Sequence, residues 1–186
     1  YFTASCFIGN KCSLSVGPNR IYPCLWVLLS APSGVYRKST SIYLSMKVVQ
    51  SLDPFGVTSL DFVGTEDPKR ALMEKLRGTP ACSVFLGESS RLNGTVFRSS
   101  SMSSLLMDIF DCPESLTAGV TLKNPFLNIA SGCVPQWVSG VLSPKSGPTG
   151  FLQRHLIVSP LDKPNLDPCP TPLADSLIED LHNDLN

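Results

Sequence analysis

Lys38-Ser39-Thr40 closes a loop rich in serine, proline and glycine, and that loop follows the apolar run Cys24 to Leu29. This arrangement can hold a phosphate chain. A helix that begins at such a loop turns its first N–H groups, and the positive end of its dipole, toward an anion. The lysine adds a point charge for the β- and γ-phosphates, and the next hydroxyl adds an oxygen ligand for Mg²⁺. The candidate nucleotide contacts are therefore Ser33, Gly34, Val35, Tyr36, Arg37, Lys38, Ser39 and Thr40, with Ser39 as the metal ligand. The standard loop, G-x-x-x-x-G-K-[ST], would place glycines where this chain has Pro32 and Arg37, so only Gly34 offers an unusual backbone angle. A plain Ser/Pro loop ahead of a helix is the competing reading, and the order strand, loop, helix favours the phosphate site.

Hydrolysis asks for more than binding. A carboxylate at the end of a neighbouring apolar strand must polarise the attacking water, and a second must steer the metal shell. Ala81-Cys-Ser-Val-Phe-Leu86 followed by Gly87-Glu88 supplies such a strand with one acid, so Glu88 is the expected base. An exposed strand-end charge is its plainer reading. The second carboxylate is missing, which points to slow turnover or to none.

The segment Tyr22 to Thr40 resembles the variant Walker A region of a P-loop NTPase family found in primase–helicase proteins of phages, plasmids and integrated elements. There an aromatic-Arg-Lys-Ser/Thr ending replaces Gly-Lys-Ser/Thr, as Tyr36-Arg37-Lys38-Ser39 does here. The resemblance runs on through Glu88, Asp111-Cys-Pro113, Asn124-Pro-Phe-Leu127 and Gly150-Phe-Leu-Gln-Arg154, covering about residues 4–160. It implies a RecA-like core that binds ATP with Mg²⁺, works as a homo-oligomer and meets single-stranded DNA in the full assembly. It also implies that Arg154 is an arginine finger, in cis or in trans, and that Ser131, read as the end of its strand, senses the γ-phosphate. A salt-bridged structural arginine and a turn serine are the alternatives. The whole implied function has two competitors. One is a catalytically weak or inactive nucleotide-binding assembly module. The other is a small-molecule phosphotransferase.

The elements that must position these residues alternate. A strand over 24–29 leads to a helix over 38–51. Asp67-Pro68 starts a second helix that Gly78 stops, and a strand follows over 82–86. A helix near 103–110 and strands over 117–122, 126–130 and 154–159 complete the series. Such alternation predicts an α/β fold, a largely parallel sheet flanked by helices, with ligands beyond the carboxyl ends of the strands. The core is expected over residues 1–160. Prolines 160, 164, 168, 170 and 172 bar regular structure, so 161–186 reads as a linker into an amphipathic helix carrying Leu173, Leu177, Ile178 and Leu181.

Composition narrows the classes. The 186 residues are 42% hydrophobic and 16% charged, with fifteen basic and fifteen acidic side chains. A globular domain without a global field for DNA or anionic lipid follows. Lys69, Arg70, Lys75 and Arg77 form a local basic group, best read as a solvated helix face. Arg91, Arg98 and Ser99–Ser104 are a candidate loop against a nucleic-acid strand. No apolar run is long enough for a membrane span. Seven cysteines without a Cys-x-x-Cys pair, and only two histidines, give no zinc spacing and no Ser–His–Asp arrangement. His155 reads as a packing residue. Reduced thiols suit a cytoplasmic setting. Starting at Tyr1 and ending at Asn186 in a helix-like run, the chain reads as a segment of a longer protein.

Overall fold

A computed structural model describes residues 1–52, 57–58, 68–79, 81–86, 100–141 and 150–160. The chain opens with α1 (Phe2–Ile8) and a small hairpin, β1 (Leu14–Val16) and β2 (Asn19–Ile21). It then enters β3 (Trp26–Ser30), whose positions alternate between buried and half-buried. One face of the strand is fully covered and the other only partly. Next come α2 (Lys38–Leu52), β4 (Val57–Thr58), α3 (Pro68–Gly78) and β5 (Ala81–Leu86). After α4 (Ser100–Phe110) come the short strands β6 (Ser115–Thr117) and β7 (Thr121–Lys123), then β8 (Phe126–Cys133). The series closes with α5 (Pro135–Val141), α6 (Gly150–Gln153) and β9 (His155–Val158).

The α/β expectation holds. Five strands form one parallel sheet in the order β4-β5-β8-β3-β9. Its centre is buried: all eight residues of β8 are buried, as is β5 from Cys82 onward. The single strand expected over 117–122 is corrected. Gly119, at φ 80°, breaks it into an antiparallel hairpin that pairs Ser115 with Lys123. An L side chain resists that angle and glycine does not.

Helices divide between the two faces by the direction in which the chain moves. From β3 the chain travels to the β4 edge through α2. Every later crossover, through α3, α4 and then α5–α6, moves the other way. Right-handed crossovers put helices of opposite travel on opposite faces. Accordingly, Ile42 and Val49 of α2 pack on Phe85 and Ala130, joined by Phe2 and Cys6 of α1. Leu72 and Leu76 of α3, Leu106 and Ile109 of α4 and Phe151 of α6 pack on Trp26, Val84 and Ile129. The consequence is a topological switch between β3 and β8. The chain leaves the carboxyl ends of these neighbours toward opposite edges, which opens a crevice there.

Under α1 the sheet holds one fully buried amide. Asn128 Oδ1 accepts from the Leu25 N–H at 2.8 Å and from Ser5 Oγ at 3.0 Å, and Ser5 Oγ also contacts the Pro23 carbonyl. This network ties the amino-terminal helix to the amino edge of the sheet.

Candidate functional site

The loop after β3 begins by prolonging the sheet. The N–H of buried Ala31 donates to Cys133 O at 3.1 Å, so the loop's first residue is pinned to the end of β8, at the switch point. Two left-handed residues then shape the turn, Gly34 at φ 78° and Arg37 at φ 45°. Arg37 occupies the position that glycine holds in the standard loop, and its backbone takes a glycine-like angle. An L residue there costs roughly 1–2 kcal/mol, which the surrounding structure must hold in place.

α2 starts at once with Lys38, and Ser41 N–H donates to Arg37 O at 3.1 Å in its first turn. That turn contains no acidic residue, so no carboxylate of its own offsets the positive end of the helix dipole. The Lys38 ammonium folds back over the loop. Its Nζ donates to Ala31 O at 2.6 Å and to Pro32 O at 3.1 Å. An ammonium carries three N–H donors, so these two carbonyls leave one for a further acceptor. Arg37 and Lys38 bring two basic side chains to the loop. Ser33, Gly34, Ser39 and Thr40 are exposed around it, with Val35 and Tyr36 half-buried.

Space around Gly34 makes it a clean probe. A Cβ there would meet nothing within 4 Å, so only the backbone angle opposes a side chain. Gly34→Ala is expected to lower stability by about 1 kcal/mol, read as a fall of a few degrees in thermal midpoint. An unchanged midpoint would mean the turn relaxes to another conformation.

Of the other expected site residues, Ser131 and Arg154 are described, and neither lies as expected. Ser131 does not end its strand: β8 continues to Cys133, and Ser131 is buried in register between Leu28 and Leu86. The expected strand end at Ser131 is corrected accordingly. Glu88, Arg91, Arg98 and 161–186 lie outside the described residues, as does Ser99. Ser100 to Ser104 belong to α4 rather than to a loop. Among the described residues, β3, β8 and β9 end on Ser30, Cys133 and Val158, with no carboxylate. On α3, Arg70 pairs with Glu74 at 2.9 Å across one turn, both well exposed, as a solvated face requires.

Arg154 needs the clearest correction. It immediately precedes β9, so it sits at the amino edge of the parallel sheet, whereas the phosphate loop leaves the carboxyl edge. The length of β3 separates the two edges, about 13 Å. Its guanidinium bonds Asp111 Oδ1 and Oδ2, both at 3.2 Å, and Gly150 O at 3.1 Å, and lies over the Phe110 ring. A finger acting on this chain's own loop is excluded by that placement, and the salt-bridged reading holds. Residue type alone does not single out Asp111 as its partner, although chain order carries a signal. A residue that follows α4 and precedes β8 must lie at the same amino edge as one that precedes β9.

His155 packs against Trp26 and Phe151, with ring centroids 5.1 and 4.7 Å away. Its Nδ1 lies 2.9 Å from Phe151 O, and because a carbonyl only accepts, Nδ1 carries the proton. Burial pulls its pKa down from 6.5 to about 4, against the weaker opposing effect of the Phe151 carbonyl. Between those values the unfolded chain binds a proton that the folded chain refuses. Stability is therefore complete above pH 6.5 and falls toward pH 4, by an amount on the order of 3 kcal/mol. Thermal midpoints measured from pH 7 to pH 4 should show the fall, and His155→Gln should flatten it.

Comparison of the chain with protein-family models, with curated proteins and with solved structures returns no match. Among the described residues, no helix is long and apolar enough to cross a membrane.

Proposed function

We propose that the chain is the ATP-binding core of a RecA-like P-loop NTPase, working in a replication helicase or primase–helicase assembly. The observation that carries this reading is the strand–loop–helix unit β3–α2 with Lys38 folded over its loop at the switch point. The loop fits a phosphate chain on three counts. Its backbone keeps a left-handed residue ahead of the lysine, the opening helical turn has no acid, and Arg37 and Lys38 concentrate positive charge. Ser33 to Thr40 would contact the nucleotide. Mg²⁺, held through Ser39, would supply charge neutralisation on the phosphates. Glu88 would take the role of base, orienting water for in-line attack. Arg154, tied to Asp111, is left without a part in this chain's own reaction.

A second reading is favoured by the same lysine. Its bonds to Ala31 O and Pro32 O also make it a staple that stabilises the loop by itself, and the described strand ends lack a carboxylate. The protein would then be a nucleotide-binding or purely structural assembly module without turnover.

Phosphate release from ATP with Mg²⁺, measured with and without single-stranded DNA, separates the two. The motor reading predicts release that DNA accelerates. ATP binding without release would support the module, and absence of ATP binding would defeat the nucleotide reading altogether.

A further inference from the structure

The small hairpins β1–β2 and β6–β7 each precede a central strand of the sheet. The first leads through Tyr22 into β3, and the second leads through Asn124 into β8. Because β3 and β8 are hydrogen-bonded neighbours, the hairpins ahead of them come together at the amino edge. A cleft of about 450 Å³ lies there, open to solvent, with Arg20 and Tyr22 on one side and Glu114, Ser115, Lys123 and Asn124 on the other. Its backbone is tied down. Asn124 N–H donates to Glu114 O at 2.9 Å, and Asn10 Nδ2 donates to Asn124 O at 2.8 Å. Asn124 sits at φ 46°, an angle that asparagine tolerates better than most residues. Ser115 and Lys123 are partners in register, so their side chains share one face of the hairpin. The charges lining the cleft do not cancel in pairs. Among the described residues, neither Arg20 nor Lys123 forms an ion pair with Glu114, and all three are exposed. Tyr22 is half-buried beside them.

We infer that this cleft is a seat for single-stranded nucleic acid, taking a phosphodiester between Arg20 and Lys123 and a base against the Tyr22 ring. Cations that follow the backbone, with an aromatic face for a base, are what a single strand needs from a protein surface. A base stacked on a side chain has left its own helix, so a duplex does not fit this use. The volume falls in the range of roughly 300–1,000 Å³ typical of ligand sites, and the open walls let a strand enter and leave. Glu114 adds a preference among bases. Its carboxylate accepts from the N4 amine of cytosine and repels the O4 of thymine. The phosphate loop leaves the opposite, carboxyl edge of the sheet, so strand and ATP occupy separate places. The kind of partner rests on the replication reading, and the place rests on the cleft.

Fluorescence anisotropy of labelled oligodeoxycytidylate and oligothymidylate, titrated with the full chain in the absence of ATP, tests the seat. The cytosine strand is expected to bind about 5-fold tighter than the thymine strand, and Glu114→Gln should erase that preference. Arg20→Ala and Lys123→Ala should each weaken both strands alike, by about 5–10-fold, and each should reduce the slope of log affinity against log salt by about 0.7. Tyr22→Phe should bind as the parent does, and Tyr22→Leu about 10-fold more weakly. Arg20 and Lys123 are exposed, so their substitution leaves the fold in place and decides the matter even if Tyr22→Leu does not fold. Absence of binding by the parent chain, or full affinity in the Arg20→Ala, Lys123→Ala double variant, would overturn the inference. So would displacement of the strand by free dCMP at equal nucleotide concentration, which would make the cleft a small-ligand site. Strand binding that persists in a chain unable to bind ATP would count against the phosphate loop and support the cleft.

Discussion

Lys38→Ala is expected to weaken ATP binding by about 100-fold or more, the effect of deleting one charge-assisted hydrogen bond to a phosphate. Titration calorimetry on the variant and the parent chain measures it. The ammonium already holds Ala31 O and Pro32 O, so the same change costs about 1–2 kcal/mol of stability. Affinity and stability must therefore be measured together. Lys38→Arg keeps the charge and can still reach a carbonyl, so it should recover part of both. Equal ATP affinity in the parent and in Lys38→Ala would make the lysine a staple and nothing more.

Trp26→Ala carries the largest expected loss of stability, about 3–5 kcal/mol, or roughly 10 °C in thermal midpoint. The indole is fully buried, meets Phe110 edge-on at 4.9 Å and Phe151 at 5.3 Å, and bonds Leu127 O. Trp26→Phe keeps a ring there but loses the hydrogen bond and part of the indole's volume, for about 2–3 kcal/mol. Trp26 lies at the amino end of β3, so the Phe variant should keep the parent's ATP affinity. A tenfold loss in that variant would mean that the loop depends on the far end of its strand. Thermal unfolding and calorimetry on the two variants give both numbers.

Local signals carry much of the fold. The apolar run before Ala31, the Pro32/Gly34 break and the hydroxyl-rich restart at Lys38 place β3, the loop and α2 to within two residues. Pro68 and Gly78 likewise mark both ends of α3. Long-range facts are not legible. That β8 lies between β3 and β5 depends on which strands pair across long stretches of chain, about a hundred residues for β3, and no local pattern carries that choice. Nor do the short α1, β1 and β2 announce themselves, because seven- and three-residue elements hold too few periodic positions. At the site, the glycine count misleads. Arg37 adopts the left-handed angle without being glycine, so the loop's backbone departs from the standard less than its residues do. Arg154 misleads for a different reason. Its residue type suits a finger, while strand polarity already assigns it to the opposite edge. Ser131 reads as a strand end because small residues follow it, yet Gly132 and Cys133 continue pairing with β3.

The amide resonances of Gly34 to Thr40 test the phosphate loop most directly, recorded while ATP with Mg²⁺ is added and again with adenosine. Selective shifts of these amides with ATP, saturating at one equivalent and absent with adenosine, are the expected result. Equal responses to ATP and adenosine, or shifts confined to the amino edge around Asp111 and Arg154, would contradict a triphosphate held beneath the Lys38 ammonium.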